Sequence, residues 1–347
     1  MKKTKLPTKF PSELRFDLVS KDWVVIATGR ARRPETFKKE KRKAIEEPKE
    51  TCPFCHIKTQ GKPTLIFSQG KKVPFKSDDK IPKDWTTIVV PNMYPAVIPV
   101  AKLDERTEGK FYKIMNAAGF HEVVITRHHK RQLAQFSLEE IKEVIDVYQA
   151  RYLSLAKEKF VNYISIFHNH GQEAGASISH PHSQIITTPL IDVDLRRALL
   201  NSEAFFKEKG SCVYCLMNNW ERKVKKRVIF ENDNFFAICP FASKVAFEVI
   251  ISPKKHLAYF ERITEEEKRD LAEIFGNALG KLYKGLGNPS YNFYLHTVPC
   301  DGKNYNHYHW HWTILPKTAI PAGFEIGTRM EISTIEPEKA AEYLRKQ

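Results

Sequence analysis

The feature that most constrains the fold of this chain is an internal repeat. The segments 121–140 and 247–267 each begin with a β-branched run, pass through a basic turn that contains histidine, and end where a helix is expected to begin. A C-x-x-C pair precedes each segment and an H-x-H strand follows it, so four landmarks recur in the same order. Such a repeat predicts two units built on one plan. We therefore expect an α+β fold of two homologous domains, divided into residues 1–196 and 197–347.

The spacing of the histidines aligns the two copies. The turn histidine stands eight residues before the expected helix start in both copies, and the H-x-H motif follows it after 51 residues in the first copy and 53 in the second. The aligned histidines are His129 and His180 in the first copy, and His256 and His309 in the second. Because the first copy is one residue shorter in its turn, His128 remains a weaker candidate for the position of His129.

Both helices of the repeat carry the same start signal. Ser137-x-x-Glu140 and Thr264-x-x-Glu267 are capping boxes, in which the hydroxyl and the carboxylate each bind a backbone amide that the helix leaves unpaired. Apolar residues at helical spacing follow each box. The pattern predicts an amphipathic helix directly after each histidine turn.

Each copy also contains the donors for one tetrahedral metal site. Two cysteines spaced C-x-x-C and two histidines complete the four-coordinate shell that zinc prefers in structural sites. Because the histidines lie far from the cysteines in sequence, the metal would join separate elements of the fold. The alternative is two buried thiol pairs with unrelated histidines, and the duplication of the whole set favours metal. The two predicted sets are Cys52, Cys55, His129 and His180, and Cys212, Cys215, His256 and His309.

The first H-x-H strand carries a further histidine that could act as a nucleophile. Residues two apart on a strand share a face, so His180, His182 and Gln184 are expected to point the same way. An imidazole can attack phosphorus as a nucleophile, and the amide of Gln184 could donate to a phosphoryl oxygen. The second copy has His311 but Thr313 at these positions, which predicts one catalytic and one structural copy. The alternative is that His182 is a second structural or metal-binding histidine.

Two segments have the composition of phosphate-binding elements. Residues 169–177 (NHGQEAGAS) are small and polar, and Ser177 adds a hydroxyl donor. Near the N-terminus, RARRP follows a strand-like run, and its arginines Arg30 and Arg33 could clamp a diphosphate. Either segment alone is also compatible with an ordinary surface loop.

Charge and composition limit the classes of function. Lys and Arg number 56 against 41 Asp and Glu, a net charge of +15 that fits an anionic ligand. The rival to an enzyme is therefore a zinc-stabilised nucleic-acid-binding protein, which should expose aromatic side chains among basic ones. Trp310 and Trp312 alternate with histidines but are expected to pack in the core instead. No apolar run approaches the length of about 20 residues that spans a bilayer, and sparse, clustered cysteines suggest the cytoplasm.

Taken together, the motifs RARRP, CPFC, HPHSQ and AGFE resemble those of the galactose-1-phosphate uridylyltransferase family of the histidine-triad superfamily. The resemblance extends over nearly the whole chain, from about residue 15 to 330. It implies two histidine-triad-like domains, each an antiparallel sheet with packed helices, assembled as a homodimer. It also implies an enzyme that moves UMP from UDP-glucose to galactose 1-phosphate by a ping-pong route, with nucleotide sugar and sugar 1-phosphate as its ligands.

The resemblance assigns roles to individual positions. His182 would become uridylylated, with Gln184 and Ser177 holding the phosphoryl oxygens. Cys52, Cys55, His129 and His180 would form the family's structural zinc site. The remaining substrate-binding positions are Arg30, Arg33 and Asn169 for the nucleotide phosphates, Asn92 for the nucleoside, and Glu325 for the sugar hydroxyls.

Two departures from the family pattern leave the nucleotide open. A second C-x-x-C is absent from many classical members but present in a related plant branch of ADP-sugar phosphorylases or adenylyltransferases. The segment AGFEIGTRMEIS also resembles that branch. An adenylyl-transferring enzyme with the same mechanism is therefore the alternative. A nucleotide hydrolase of the same superfamily usually has histidine in place of Gln184, so the glutamine favours transfer over hydrolysis.

Overall fold

The computed structural model describes residues 12–27, 35, 37, 47–76 and 79–347. Its main element is an eleven-stranded sheet in which every neighbouring pair is antiparallel. Within the described part of the chain, no helix is both long and apolar enough to cross a membrane. The α+β class expected from the repeat is confirmed.

The strands, in chain order, are β1 (Glu13–Phe16), β2 (Trp23–Ile26), β3 (Leu65–Ser68), β4 (Lys71–Lys72), β5 (Thr87–Pro91), β6 (Glu105–Glu108), β7 (Tyr112–Met115), β8 (His121–Thr126), β9 (Tyr163–His170), β10 (His182–Thr188), β11 (Val228–Glu231), β12 (Phe235–Ile238), β13 (Val249–Pro253), β14 (Tyr291–His296), β15 (His311–Pro316) and β16 (Ile332–Ser333). The helices are α1 (Leu138–Leu155), α2 (Val193–Lys209), α3 (Val213–Val224), α4 (Glu265–Leu286), α5 (Gly323–Thr328) and α6 (Pro337–Arg345).

The two copies of the repeat lie side by side in the one sheet. The strand order is β11-β12-β13-β15-β14-β9-β10-β8-β5-β3-β4. Reading outward from the centre, β9-β10-β8-β5 in one half matches β14-β15-β13-β12 in the other. The halves join where β9 pairs with β14, with Asn169 opposite Asn292. Pairing of these two strands satisfies backbone groups that would otherwise stand at an open edge of each unit.

The helices of the repeat begin as their sequences predict. The Ser137 hydroxyl accepts from the Glu140 amide at the start of α1, and Thr264 accepts from Glu267 at the start of α4, with both capping boxes complete. The helices α1 and α4 pack against each other and against the centre of the sheet. Trp310 and Trp312 are fully buried in this core, as expected from the sequence.

Alternate residues of the strands face a second, smaller core on the opposite side. Val124 of β8 belongs to the helix-covered core, whereas Val123 and Ile125 belong to a cluster with Phe54 of the first cysteine segment. The second cysteine segment packs in a comparable cluster with Leu195 and Leu199 of α2. Each histidine strand therefore has helices of the repeat on one face and a cysteine segment beside the other.

Candidate active site

The first predicted metal set is brought together at the start of β10. Donor atoms of Cys52, Cys55, His129 and His180 all lie within 4.8 Å of one another. The Sγ atoms stand 3.3–3.6 Å from the histidine Nδ1 atoms, and the two Nδ1 atoms are 3.4 Å apart. Tetrahedral zinc with Zn–S and Zn–N bonds near 2.3 and 2.0 Å places sulfur and nitrogen about 3.5 Å apart. The four side chains therefore fit such an ion.

Backbone carbonyls fix the orientation of both histidines in this group. Nε2 of His180 lies 2.7 Å from the Thr126 carbonyl, and Nε2 of His129 lies 2.8 Å from the Glu47 carbonyl. A carbonyl only accepts, so Nε2 carries the proton and Nδ1 presents its lone pair to the group. His128, the alternative in the same turn, instead pairs with Glu140 at 2.8 Å.

The second set forms a matching group in the other half. Cys212, Cys215, His256 and His309 also have donor atoms within 4.8 Å of one another. Nε2 of His256 lies 2.7 Å from the Asn306 carbonyl and Nε2 of His309 lies 3.1 Å from the Pro253 carbonyl. The same histidine orientation therefore recurs, and the chain presents two Cys₂His₂ groups that could each hold a metal.

His182 is the first residue of β10 and lies two positions beyond a residue of the first group. Its side chain is buried, and its ring packs edge-on against Phe54 with centroids 4.9 Å apart. Nδ1 lies 2.9 Å from the carbonyl of His180, so Nδ1 carries the proton and donates. Nε2 has no hydrogen-bond partner within the described ranges. Burial lowers the pKa of this imidazole, which favours the neutral, nucleophilic form.

Gln184 and Asn92 both lie beside a histidine that the sequence did not single out. His121 Nδ1 accepts from the Ala96 amide at 3.1 Å, so its proton is on Nε2. That Nε2 donates to Gln184 Oε1 at 2.7 Å, and Asn92 Nδ2, itself a donor, lies 3.0 Å from the same nitrogen. With its oxygen occupied by His121, the Gln184 amide turns its NH₂ group away from His121. His121 stands at the start of the β-branched run that aligns the repeat. That position is the one sequence signal that could have pointed to it.

The last pair between β9 and β10 joins His168 to Ser183. One residue further along each strand, Asn169 stands opposite His182, and their side chains share one face of the sheet. Its Oδ1 accepts from Asn292 of β14 at 2.8 Å. The loop 171–176 follows, held by its own backbone bonds from 174 and 176 to the Gly171 carbonyl, and Ser177 is exposed beyond it. Asn292 is a second residue that the sequence analysis missed, because it belongs to the other half of the chain.

For three predicted site residues the structure shows no contact with this group. Arg30 and Arg33 lie outside the described residues. Glu325 lies in the short helix α5 and accepts from the Ala322 amide at 3.0 Å. The side chains around Glu325 are exposed and apolar, with Ile320 93% and Ile326 71% accessible.

The second H-x-H strand places His311 where the first places His182. Its Nδ1 likewise lies 3.2 Å from the carbonyl two residues before it, that of His309. Here, however, the ring stacks on His296 with centroids 4.6 Å apart, and Thr313 stands in the position of Gln184. The second half therefore lacks the glutamine amide that flanks the histidine in the first half.

A basic cleft of about 590 Å³ opens beside the first metal group. Its walls include Lys49, Lys58, Lys83 and Arg127. The tryptophan at its base, Trp85, is buried, and the Arg127 guanidinium lies 4.9 Å from the centre of its ring. The ring is therefore not available for base stacking, and Trp310 and Trp312 are buried elsewhere. These three tryptophans therefore do not form the aromatic platform that the nucleic-acid alternative requires, whereas Trp23 and Trp220 are exposed.

Comparison with known proteins gives matches along almost the whole chain. The model of the N-terminal domain of galactose-1-phosphate uridyl transferase matches residues 3–191, and that of the C-terminal domain matches residues 199–346. An ADP-glucose phosphorylase of Arabidopsis thaliana is 32% identical, covering 96% of this chain and 92% of that protein. A galactose-1-phosphate uridylyltransferase of Thermotoga maritima is 25% identical, covering 96% of this chain and 98% of that protein.

Solved structures agree with these matches. An ADP-glucose phosphorylase from Arabidopsis thaliana with bound ADP-glucose superposes with a TM-score of 0.77 at 29% identity, covering 96% of this chain and 99% of that one. A uridylyltransferase structure gives a TM-score of 0.72 at 26% identity, covering 96% and 97% of the two chains.

Proposed function

Because the chain belongs to the galactose-1-phosphate uridylyltransferase family, we propose that it transfers a nucleoside monophosphate through His182. The protein is a nucleotidyltransferase, and the reaction proposed for it moves UMP from UDP-glucose to galactose 1-phosphate. The observation that carries the proposal is the state of His182: its imidazole is buried, donates through Nδ1 to a backbone carbonyl, and keeps Nε2 available beside Gln184.

The first half-reaction makes a covalent intermediate. Nε2 of His182 attacks the α-phosphorus, the bond from that phosphorus to the bridging oxygen breaks, and the sugar 1-phosphate leaves with the electron pair. The positive charge that develops on the ring is shared with the His180 carbonyl through the Nδ1–H bond. In the second half-reaction, a phosphate oxygen of the acceptor attacks the same phosphorus and the phosphorus–nitrogen bond breaks. His182 is thereby regenerated neutral.

Donors around His182 would stabilise the phosphoryl oxygens. The NH₂ groups of Gln184 and Asn169 face away from their partners His121 and Asn292 and lie on the strand face that carries His182. Such fixed donors stabilise charge as it develops without having to reorient. Ser177, Arg30, Arg33, Asn92 and Glu325 are proposed as further substrate contacts on the resemblance to the family.

The metal proposed for both Cys₂His₂ groups is zinc, in a structural role. Four protein ligands fill the tetrahedral shell, so a bound zinc would supply cross-linking rather than a free coordination position. Within the first group, His180 lies two residues before the nucleophile. Holding His180 therefore holds the start of β10 and the carbonyl to which His182 donates.

A second candidate is ADP-glucose phosphorolysis by the same histidine. It is favoured by the 32% identity to the Arabidopsis thaliana enzyme and by the second C-x-x-C pair. In this reaction His182 would take AMP from ADP-glucose, and inorganic phosphate would be the acceptor. The covalent step is the same, so the donor and the acceptor separate the two candidates.

Intact-protein mass spectrometry after incubation with UDP-glucose or ADP-glucose tests both candidates. We expect a uridylyl adduct from UDP-glucose on the wild type and none on His182→Ala. His128→Ala is the matched control, since His128 pairs with Glu140 outside the site. An adenylyl adduct alone would select the second candidate. The absence of any adduct from a folded, metal-loaded protein would refute the covalent mechanism.

The exposed apolar segment around Glu325 supports a homodimer. Ile320, Phe324 and Ile326 lie within five residues of Glu325 along the chain and are open to solvent in the single chain. An apolar patch of this kind fits a protein interface, through which Glu325 would reach a sugar subsite of the second copy. Ile326→Glu should then give a monomer by light scattering. We also propose a cytoplasmic location, where the metal-binding thiols stay reduced.

A further inference from the structure

The second half of the chain makes a continuous set of contacts with residues 169–177. We call these residues the phosphate-binding segment, after the role proposed for them. The segment 288–292, which leads from the end of α4 into β14, lies against residues 169–174 at the junction of the two halves. We define it as the junction segment. Three of its side chains reach across, and each meets a different part of the phosphate-binding segment.

Asn292 makes the central contact, and its orientation is unambiguous. Its Nδ2 lies 2.8 Å from the Ala174 carbonyl oxygen, which only accepts, so this atom is the NH₂ group. The same Nδ2 lies 2.8 Å from the side-chain amide of Asn169. The second hydrogen of Asn292 must therefore meet the oxygen of Asn169. Consequently the NH₂ group of Asn169 points away from Asn292.

The strand register shows where that NH₂ group is available. Asn292 is paired with Asn169, and Asn169 stands opposite His182 in the next pair of strands. Directly opposed residues in a sheet have side chains on the same face. Asn292, Asn169 and His182 therefore form a row on one face, with Asn169 in the middle. Because Asn292 holds the oxygen of the Asn169 amide, the NH₂ group of Asn169 can donate only toward His182.

Two neighbouring contacts hold the backbone of the phosphate-binding segment. His170 Nε2 lies 2.8 Å from Asn288 Oδ1, an inter-half hydrogen bond between a buried histidine and an exposed asparagine. Gly171 has a φ of +79°, and a Cβ there would come within 2.3 Å of Ser290 Oγ. The close approach of Gly171 to Ser290 requires glycine for both space and backbone conformation.

From these contacts we propose that Asn292 is a positioning residue for nucleotidyl transfer. It turns the Asn169 amide so that its NH₂ group faces the α-phosphoryl subsite, and it ties the following loop through the Ala174 carbonyl. This assignment rests on the proposed function, in which Asn169 binds the transferred phosphoryl group. It gives the second half of the chain a part in the chemistry of the first.

A double-mutant cycle measures whether Asn292 acts through Asn169. The readout is the single-turnover rate of nucleotidyl-His182 formation, using whichever of UDP-glucose or ADP-glucose labels the wild type. Asn292→Ala should slow this rate about 10- to 100-fold, since a small misplacement of a positioned group costs about that much. In the Asn169→Ala background the same change should have an effect of less than about threefold, because the residue it orients is gone.

Asn292→Asp provides a second variant of unchanged size. A carboxylate accepts only, so Asn169 would turn its NH₂ toward residue 292 and its oxygen toward the phosphate. We expect the aspartate variant to lose at least as much rate as the alanine variant. A role in packing alone predicts the reverse order, since aspartate preserves the volume.

Gln149→Ala is the control for inter-half stability. Its Nε2 donates to the carbonyls of Glu261 and Ile263 at 3.0 and 2.8 Å, so it too bridges the halves by two bonds, away from the site. It should lower the melting temperature without slowing adduct formation. Equal effects of Asn292→Ala with and without Asn169, or no effect, would overturn the positioning role. A wild type that forms no adduct would instead overturn the proposed function on which it rests.

Discussion

At the scale of single residues, backbone carbonyls decide what the histidines can do. Each of the four histidines in the metal groups donates through Nε2 to a carbonyl and so presents Nδ1 to the group. His182 is reversed: it donates through Nδ1 and keeps Nε2 for other chemistry. The backbone thus decides which ring nitrogen each histidine leaves free: Nδ1, which could bind a metal, or Nε2, to which we assign the proposed nucleophilic role in His182.

His121 controls the orientation of Gln184, so its removal should affect the rate without removing a contact to the substrate. We expect His121→Ala to slow nucleotidyl-His182 formation about tenfold, the order of one lost hydrogen bond. Rapid-quench measurement of adduct formation gives this rate directly. His128→Ala is the matched control and should retain the wild-type rate. An unchanged rate in His121→Ala would show that Gln184 keeps its orientation without His121.

At the scale of elements, the two metal groups are alike in composition but differ in what they hold. The first group includes His180, two residues before the proposed nucleophile His182 on β10, whereas the donors of the second lie beside β15 and at the start of α3. Loss of either metal should loosen its own strand. Only loss of the first should displace His182.

Single-ligand variants test this difference. We expect Cys52→Ser and Cys212→Ser each to lose about one zinc per chain, since three ligands bind more weakly than four. Adduct formation should fall at least about tenfold more in Cys52→Ser than in Cys212→Ser. Metal analysis of each purified variant, together with its adduct rate, gives both quantities. Equal loss of rate in the two variants would contradict a local role for the first metal.

A buried carboxyl before β13 makes the stability of the second half depend on pH. Burial raises the pKa of Glu248 to about 7 from its ordinary 4.5, although Lys244 and its backbone amide oppose this shift. Between these values the folded chain binds more protons than the unfolded chain. The contribution of Glu248 to the free energy of unfolding therefore falls as pH rises from 4.5 to 7.

Replacing Glu248 by glutamine should remove that dependence. Glutamine still accepts from the Lys244 amide but does not ionise. Relative to the wild type, Glu248→Gln should therefore gain up to about 3 kcal/mol in free energy of unfolding between pH 4.5 and 8. Urea unfolding at several pH values measures this difference. If the difference in free energy of unfolding between variant and wild type stays constant with pH, Glu248 does not titrate in this range.

At the scale of the whole molecule, the two halves share one sheet and one helix-covered core. The pairs between β9 and β14 run from Tyr291 with His170 to Tyr294 with Phe167, and α1 packs against α4 across the same junction. Separation would expose both strands and the apolar faces of both helices. The boundary proposed near residue 196 therefore separates the two copies of the repeat along the chain. The strands and helices of the two copies nevertheless pack as one unit.

Separate expression of residues 1–191 and 192–347, a cut that leaves α2 and its N-cap Asp192 whole, tests this dependence. We expect each fragment alone to aggregate or to lack a cooperative thermal transition, and the co-expressed pair to copurify. If it stays folded, the first fragment, which contains His182 and the first predicted metal set, should form the adduct at least about 10-fold more slowly than the whole chain, because Asn292 is missing from it. Circular dichroism and adduct mass spectrometry report these outcomes. A folded first fragment that forms the adduct as fast as the whole chain would contradict the contribution of the second half.

Features that depend on spacing along the chain could be predicted from the order of the residues. The capping boxes at Ser137 and Thr264, the repeat and the two sets of metal donors could be predicted because each landmark recurs at nearly the same separation in both copies. The α+β class followed from the same alternation of strands and helices. His182 and Gln184 were singled out because residues two apart on a strand share a face.

The partners of the proposed site residues could not be predicted, because they depend on contacts between distant parts of the chain. Gln184 meets His121 across 63 residues, and Asn169 meets Asn292 across 123. Neither partner belongs to a motif, since their roles arise from strand register and from which edges of the two units pair. The joining of β9 to β14 was likewise not predicted, because either unit could have ended in an open or covered edge. Local chemistry can be read from the order of residues, but the orientation of an amide depends on the neighbour that the fold places beside it.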